Sequence, residues 1–247
     1  MIIMGKTDTG KKRTLNEDNF FADTLQGIHI AIVCDGVGGA NGGEVASAAA
    51  VKTFIETFNE LMQLSVNYED ILIAAVARAN DKIYSLAKDK KGLNGMGTTI
   101  VACVFNESEF HIINVGDSRL YLIGERDNQH SGIRQITKDH SYVQNLLESG
   151  QVTKKQAETH PNKNVITRAL GLDASVTPDF YKENYTSGII LLCSDGLYNY
   201  VDESDIQKYV SMYDDADHCL NELIAKANEN GGGDNITVVM IKPQNHK

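Results

Sequence analysis

A chain of 247 residues, 42% apolar and 23% charged, can bury one sizeable core without disulfide or metal staples. Its formal charge of −10 argues against a binder of nucleic acid or anionic membrane, because nothing gathers Lys and Arg on one face. The opening MIIMGKTDTG lacks the apolar stretch of a signal peptide and no run approaches membrane-spanning length, so a cytoplasmic protein is expected.

Only three prolines (Pro161, Pro178 and Pro243) punctuate the chain, and no repeat or low-complexity linker divides it, so residues 1–247 read as one domain. Ile28–Cys34 (IHIAIVC) is a short β-branched run of the kind that forms a buried strand. Glu44–Asn59 carries small and apolar residues at helical spacing, and Tyr68–Lys88 is a clearer amphipathic helix. Strand candidates follow at Thr98–Phe105, Phe110–Val115, Leu120–Ile123 and Ile133–Ile136. Asp139–Ser149 reads as a helix stopped by Gly150, a second short helix starts from Thr153, and His160–Leu172 is irregular. Ile189–Cys193 is another buried strand, Glu203–Met212 and Ala216–Asn230 are helical, and Ile236–Ile241 is a closing strand. Clustered strands and paired helices, without strict βα alternation, predict an α+β layered fold. The four cysteines (Cys34, Cys103, Cys193, Cys219) are far apart and read as small hydrophobes rather than a disulfide or zinc framework.

The placement of the acids is informative. Asp35 follows IAIVC, Asp117 follows FHIINVG and Asp195 follows IILLCS, while Asp234 precedes ITVVMI. If that last strand runs antiparallel to its neighbours, all four carboxylates reach one edge of the sheets. Carboxylates so gathered repel, and burial worsens this. Mg²⁺ or Mn²⁺ would relieve both penalties, since hard cations prefer carboxylate, carbonyl and water oxygens. Each Asp-Gly taken alone reads better as a simple turn after a strand than as a cation ligand.

Seven stretches in order resemble the metal-dependent protein phosphatase family (protein phosphatase 2C-like), and especially its bacterial serine/threonine branch. They are RTLNEDN (Arg13–Asn19), CDGVGGANGGEVAS (Cys34–Ser47), GMGTTIVAC (Gly95–Cys103), NVGDSRLYL (Asn114–Leu122), Thr137–Gly171, LLCSDGLYNYV (Leu191–Val201) and GGGDNITVV (Gly231–Val239). The resemblance implies a central β-sandwich of two mostly antiparallel sheets flanked by helix pairs, with a flap subdomain at about 139–170. It implies two core Mg²⁺ or Mn²⁺ ions: Asp35 bridging them, the Gly36 carbonyl on one, and Asp195 and Asp234 completing the first. Glu17 and Asp18 match the acidic pair around the second ion, and Asp117 resembles the ligand of a third. Arg13 resembles the phosphate-binding arginine, and Asn235 matches the asparagine beside the last ligand.

The implied activity is hydrolysis of phosphoserine and phosphothreonine by metal-activated water in a single displacement, with Arg13, Asp35 and Asp195 as the catalytic set. The implied partners are phosphorylated proteins and a cognate bacterial kinase, with the chain acting as a monomer. A phosphatase of a small phosphoester and a non-catalytic scaffold of the same fold are the alternatives. The sequence departs from the family at Val37 and Ala40, where relatives carry a histidine, and at Asn199, where eukaryotic members have a second aspartate. The general acid is therefore unassigned. His140 and His160 read as capping, packing or substrate-contact residues, His29 and His111 as satisfied structural histidines, and Lys154, Lys155 and Lys163 as solvated charge.

Overall fold

The computed structural model describes the chain except for residues 39–41, 65–66, 107, 127–130 and 244–247. The strands are β1 (Ile2–Asp8), β2 (Asn19–Leu25), β3 (Ile28–Cys34), β4 (Gly36–Val37), β5 (Gly97–Thr98), β6 (Ile100–Phe105), β7 (Glu109–Val115), β8 (Arg119–Arg126), β9 (Ser131–Gln135), β10 (Asp179–Asn184), β11 (Ile189–Cys193) and β12 (Ile236–Lys242). The helices are α1 (Gly43–Met62), α2 (Tyr68–Asp89), α3 (Tyr142–Glu148), α4 (Lys154–Glu158), α5 (Asp195–Tyr198), α6 (Glu203–Met212) and α7 (Ala216–Glu229). One sheet runs β1-β12-β11-β8-β9 and the other β10-β7-β6-β3-β2, with β4 and β5 forming a short ribbon.

Neighbouring strands pair antiparallel throughout both large sheets. Side-chain alternation sorts each strand into two environments. On β3, Ala31 and Val33 face the other sheet and meet Leu192, Val239 and Ile241. Ile30, Ile32 and Cys34 face outward and pack under α1 and α2, against Phe54, Leu72 and Val76. The opposite sheet does the same, with Leu191, Cys193, Val238 and Met240 packing under α5, α6 and α7. This four-layer α–β–β–α sandwich is the α+β architecture expected. Because both faces of the central strands are buried, they read as continuous apolar runs rather than as alternation.

Three strands of the two large sheets, and the two-residue β4 of the ribbon, were not legible. β1 and β2 are only partly buried and carry Gly, Lys, Asp and Thr among few apolar residues, and β10 (DFYKEN) is half charged. Edge positions explain these compositions: β1, β2 and β10 each end a sheet, where one flank needs no apolar partner. The expected strand Thr98–Phe105 is broken at Thr99, which serves the acidic end described below. The expected helix at Asp139 begins instead at Tyr142, because Ser141 is its cap and accepts the Gln144 N–H (3.2 Å). The four cysteines are free and buried, as expected.

Helix α5 sits so close to the start of β12 that a Cβ on Gly196 would overlap the Asn235 carbonyl. Backbone on both sides leaves nothing to rotate away. Gly196→Ala is expected to destabilise the fold by about 3 kcal/mol, read as a lowered midpoint in chemical denaturation with an unchanged slope.

Candidate active site

Antiparallel pairing gathers the strand-end acids. Cys193 pairs with Val238, so Asp195 just past β11 adjoins Asp234 just before β12. In the other sheet β3 and β7 both run antiparallel to β6, so Asp35 and Asp117 leave their strands at the same edge. The two edges face each other. The Asp35 carboxyl feels the charges of Asp18, Asp195, Asp117 and Asp234 together, and it lies within hydrogen-bonding reach of Asp195.

Local backbone chemistry aims these groups. The Asp35 N–H donates to the Thr99 hydroxyl (2.9 Å), and the Asp35 carbonyl accepts from the Thr99 N–H (2.8 Å) and the Thr98 hydroxyl (2.9 Å). With its backbone saturated, Asp35 presents its carboxyl to the cluster. This is why the strand breaks at Thr99. Asp18 is 7% exposed and accepts the Ser194 hydroxyl (2.7 Å), which in turn accepts the Thr237 N–H (3.0 Å). The Glu17 carbonyl accepts the Gly36 N–H (3.2 Å) and the Ser47 hydroxyl (2.6 Å), tying the N-terminal acids to the Asp35 turn and to α1.

Asn235 organises the approach to the site. Its Oδ1 accepts the Glu17 N–H (2.8 Å), while its Nδ2 donates to the carbonyls of Thr9 (2.9 Å) and Leu15 (3.0 Å). The loop so pinned carries Arg13, whose Nη2 donates to Asp234 Oδ2 (2.9 Å) and whose Nη1 lies 3.8 Å from Glu17. The Arg13 side chain is 47% exposed, so this guanidinium lies between the acids and solvent.

The electrostatics are those of an anionic cluster short of counter-charge. Burial, then the Asp195 and Asp234 charges, push Asp18 up to about 7 against the opposing Ser194 and Thr237 hydrogen bonds. Burial and Asp234 raise Asp195 to about 6. Burial, Asp195 and Asp139 raise Asp117 to about 8, and burial with four neighbouring carboxylates raises Asp35 well above its ordinary range. Burial raises Glu17 too, despite Arg13. Asp195 Oδ1 and Glu44 Oε2 are buried with no hydrogen-bond donor directed at them. Oxygen ligands, raised affinity for protons and an orphaned carboxylate oxygen all fit hard divalent cations. Among the described residues no three His, Cys, Asp or Glu side chains stand at closed ion-ligand geometry. An ion that keeps several of its waters needs no such cage.

The family model for protein phosphatase 2C matches residues 7–228 of this chain. The chain belongs to the protein phosphatase 2C family. It is 39% identical over 241 residues to the serine/threonine phosphatase stp of Listeria monocytogenes, covering 96% of this chain and 94% of that one. The solved structure of the serine/threonine phosphatase Stp1 from Staphylococcus aureus superposes with a TM-score of 0.87 at 32% identity, covering 98% of this chain and 94% of that one. The catalytic domain of the phosphatase PstP, solved in complex with two manganese ions, gives a TM-score of 0.81 at 31% identity over 97% of this chain and 96% of that one.

Several residues around this 2C-type site escaped the sequence reading. Glu44, in the first turn of α1, raises Glu17 and adds a carboxylate near the helix N-terminus. Ser194 is a buried polar residue between Cys193 and Asp195, a signal present in the sequence but overshadowed by its neighbours. Asn80 lies on the buried face of α2. It accepts the Gly171 N–H (2.8 Å) and donates to the Asp173 carbonyl (3.1 Å), fixing the far end of segment 139–170.

The near end of that segment is held by His140. Its Nδ1 accepts the Gly116 N–H (3.0 Å), and its Nε2 lies 3.2 Å from Asp179 and 3.1 Å from Arg168 Nη1. His140 thus ties the Gly116 turn to Asp179 at the foot of β10. Lys163 is not simply solvated: its ammonium donates to Asn199 Oδ1 (3.4 Å), and Asn199 Nδ2 donates to Asp195 Oδ2 (3.0 Å). His111 also differs from expectation, because neither of its buried ring nitrogens has a hydrogen bond of good geometry; Glu109 lies 3.5 Å from Nε2. Ala40 falls outside the described residues.

Proposed function

We propose that this chain is a metal-dependent protein serine/threonine phosphatase that cleaves the phosphoester in a single displacement. The observation that carries the reading is Arg13 seated over a converging set of carboxylates with raised proton affinity. In this reading Asp35, the Gly36 carbonyl, Asp195 and Asp234 hold two Mg²⁺ or Mn²⁺ ions, with Glu17 and Asp18 around the second. Asp117 with Asp195 takes a third. The ions, when bound, supply Lewis acidity toward phosphoryl oxygens and acidify water at neutral pH.

The chain's own groups do the rest. Arg13, half-exposed and held by Asp234, can turn its planar fork to two phosphoryl oxygens. Asn235 holds the loop that places it. No thiol is available as a nucleophile, because burial pushes Cys34, Cys103 and Cys193 far up and Cys219 to about 11, and buried neutral thiols are inert. In the same reading residues 1–247 act as one domain with a flap at about 139–170, and the chain works as a cytoplasmic monomer against phosphoproteins made by a cognate serine/threonine kinase. Among the described residues no helix is long and apolar enough to cross a membrane.

Arg13→Ala is expected to remove about 2 kcal/mol of phosphate binding, a loss of roughly thirtyfold in kcat/KM for a phosphothreonine peptide. Arg13→Lys should recover part of this but not the two-oxygen grip. Wild-type turnover of p-nitrophenyl phosphate but of no phosphopeptide would favour a small-ester phosphatase. Turnover of neither would leave a scaffold.

A further inference from the structure

Helix α5 carries Asp195 at its start and Tyr198 three residues later, a spacing that puts both on one side of a helix. The Tyr198 hydroxyl donates to the backbone carbonyl of Asp117 (3.1 Å). Asp117 follows β7 of one sheet, whereas α5 follows β11 of the other. This hydrogen bond therefore crosses between the sheets at the acidic end and ties the Asp117 turn to the helix that begins with Asp195.

Tyr198 is itself held. The Arg119 guanidinium lies over its ring, 3.6 Å from the centroid, a stacking contact that fixes the ring plane. Arg119 grips both oxygens of Asp139 through Nε (3.0 and 3.1 Å) and Nη2 (2.7 Å), and its Nη1 donates to the Tyr121 hydroxyl (3.0 Å). Gln135 donates to the same Asp139 (2.8 Å). The ion pair is largely buried, with side chains 22% and 11% exposed. A buried pair of this kind contributes little net stability compared with apolar packing, but it fixes geometry. Asp139 is the residue at which the chain enters segment 139–170, next to His140 on Gly116. The network thus runs from the entrance of that segment, through Arg119 and Tyr198, to the Asp117 turn.

We infer that Tyr198 is a positioning residue for the phosphatase reaction, holding the Asp117 turn at a set distance from Asp195 while Arg119 and Asp139 lock its ring. The inference rests on the proposed reading of Asp117 and Asp195 as cation ligands. Their two carboxylates repel each other, and a strap between their backbones opposes that separation when both are charged.

Tyr198→Phe deletes the hydroxyl and keeps the ring on Arg119. Mn²⁺ binding by calorimetry, kcat and KM on a phosphothreonine peptide, and Tm are measured for wild type, Tyr198→Phe and Tyr198→Leu. Tyr198→Phe is expected to weaken the weakest Mn²⁺ site about tenfold and to lower kcat by a similar factor. KM should stay unchanged, and Tm should fall by only about 3 °C. Tyr198→Leu, which also loses the stack, should lose more of both. Tyr198→Phe with wild-type Mn²⁺ affinity and kcat would overturn the inference. So would a loss of kcat that follows Tm with Mn²⁺ affinity intact. Wild type that takes up no Mn²⁺ would remove the ligand reading itself, whereas normal uptake in both proteins removes only the role of Tyr198.

Discussion

Asp195→Asn is expected to lower kcat on phosphopeptides by more than about 100-fold, the upper range for residues that merely support a metal site, while leaving the metal-free protein as stable or more stable. Asp195 Oδ2 accepts the Asn199 amide and its Oδ1 is buried without a donor. An asparagine can keep its oxygen toward Asn199 and turn its NH₂ toward Asp35, replacing a repulsion with a hydrogen bond. The shape is preserved and one negative charge is lost. Without that charge the cluster holds a divalent ion less well, so the Tm increase on adding Mn²⁺ should shrink in the variant. Activity within tenfold of wild type, with normal Mn²⁺ stabilisation, would contradict the assignment of Asp195.

The second large effect is on stability against pH. An ordinary aspartate titrates near 4, but Asp195, Asp18 and Asp117 are pushed up to about 6, 7 and 8, by burial first and by neighbouring carboxylates next. With folded pKa values above unfolded ones, the folded state holds more protons than the unfolded state through this range. Stability is therefore lost as pH rises: the penalty is absent below about 4 and fully present above about 8. At roughly 1.4 kcal/mol for each tenfold gain in proton affinity, the sum over these interacting groups is on the order of several kcal/mol. The metal-free protein should lose on the order of 10 °C in Tm between about pH 5 and pH 8. Saturating Mn²⁺ should restore most of it, and more at pH 8 than at pH 5, because cation and proton compete for the same oxygens. A Tm in EDTA that is flat or rising across this range would mean that the acids do not repel as the structure has them.

What could be read from the sequence follows from what was buried on both sides. β3, β6, β7, β11 and β12 lie inside the sandwich, so their apolar runs announce themselves, and the acids at their ends could be found by position alone. β1, β2 and β10 at the sheet edges carry too few apolar residues to show a period. Asp35, Asp195 and Asp234 were legible because each borders an apolar strand. Long-range polar ties were not. Asn235 reaches back 226 residues to the Thr9 carbonyl, and Arg119, Asp139 and Tyr198 lie in three separate motifs. No local pattern announces such contacts, since nothing in the intervening chain depends on them. The helix expected from Asp139 shows the same limit: its first three residues are taken up by Arg119, by the Gly116 turn and by a bridge from Ser141 to Ile166.

In the proposed reading, the acidic end of the sandwich holds divalent ions that this chain needs to dephosphorylate proteins. Phosphate release from a phosphothreonine peptide, by protein stripped with EDTA and then titrated with Mn²⁺, tests it most directly. No turnover is expected in EDTA, and recovery should saturate with Mn²⁺ in wild type but not in Asp195→Asn. Turnover that survives complete chelation would contradict the claim.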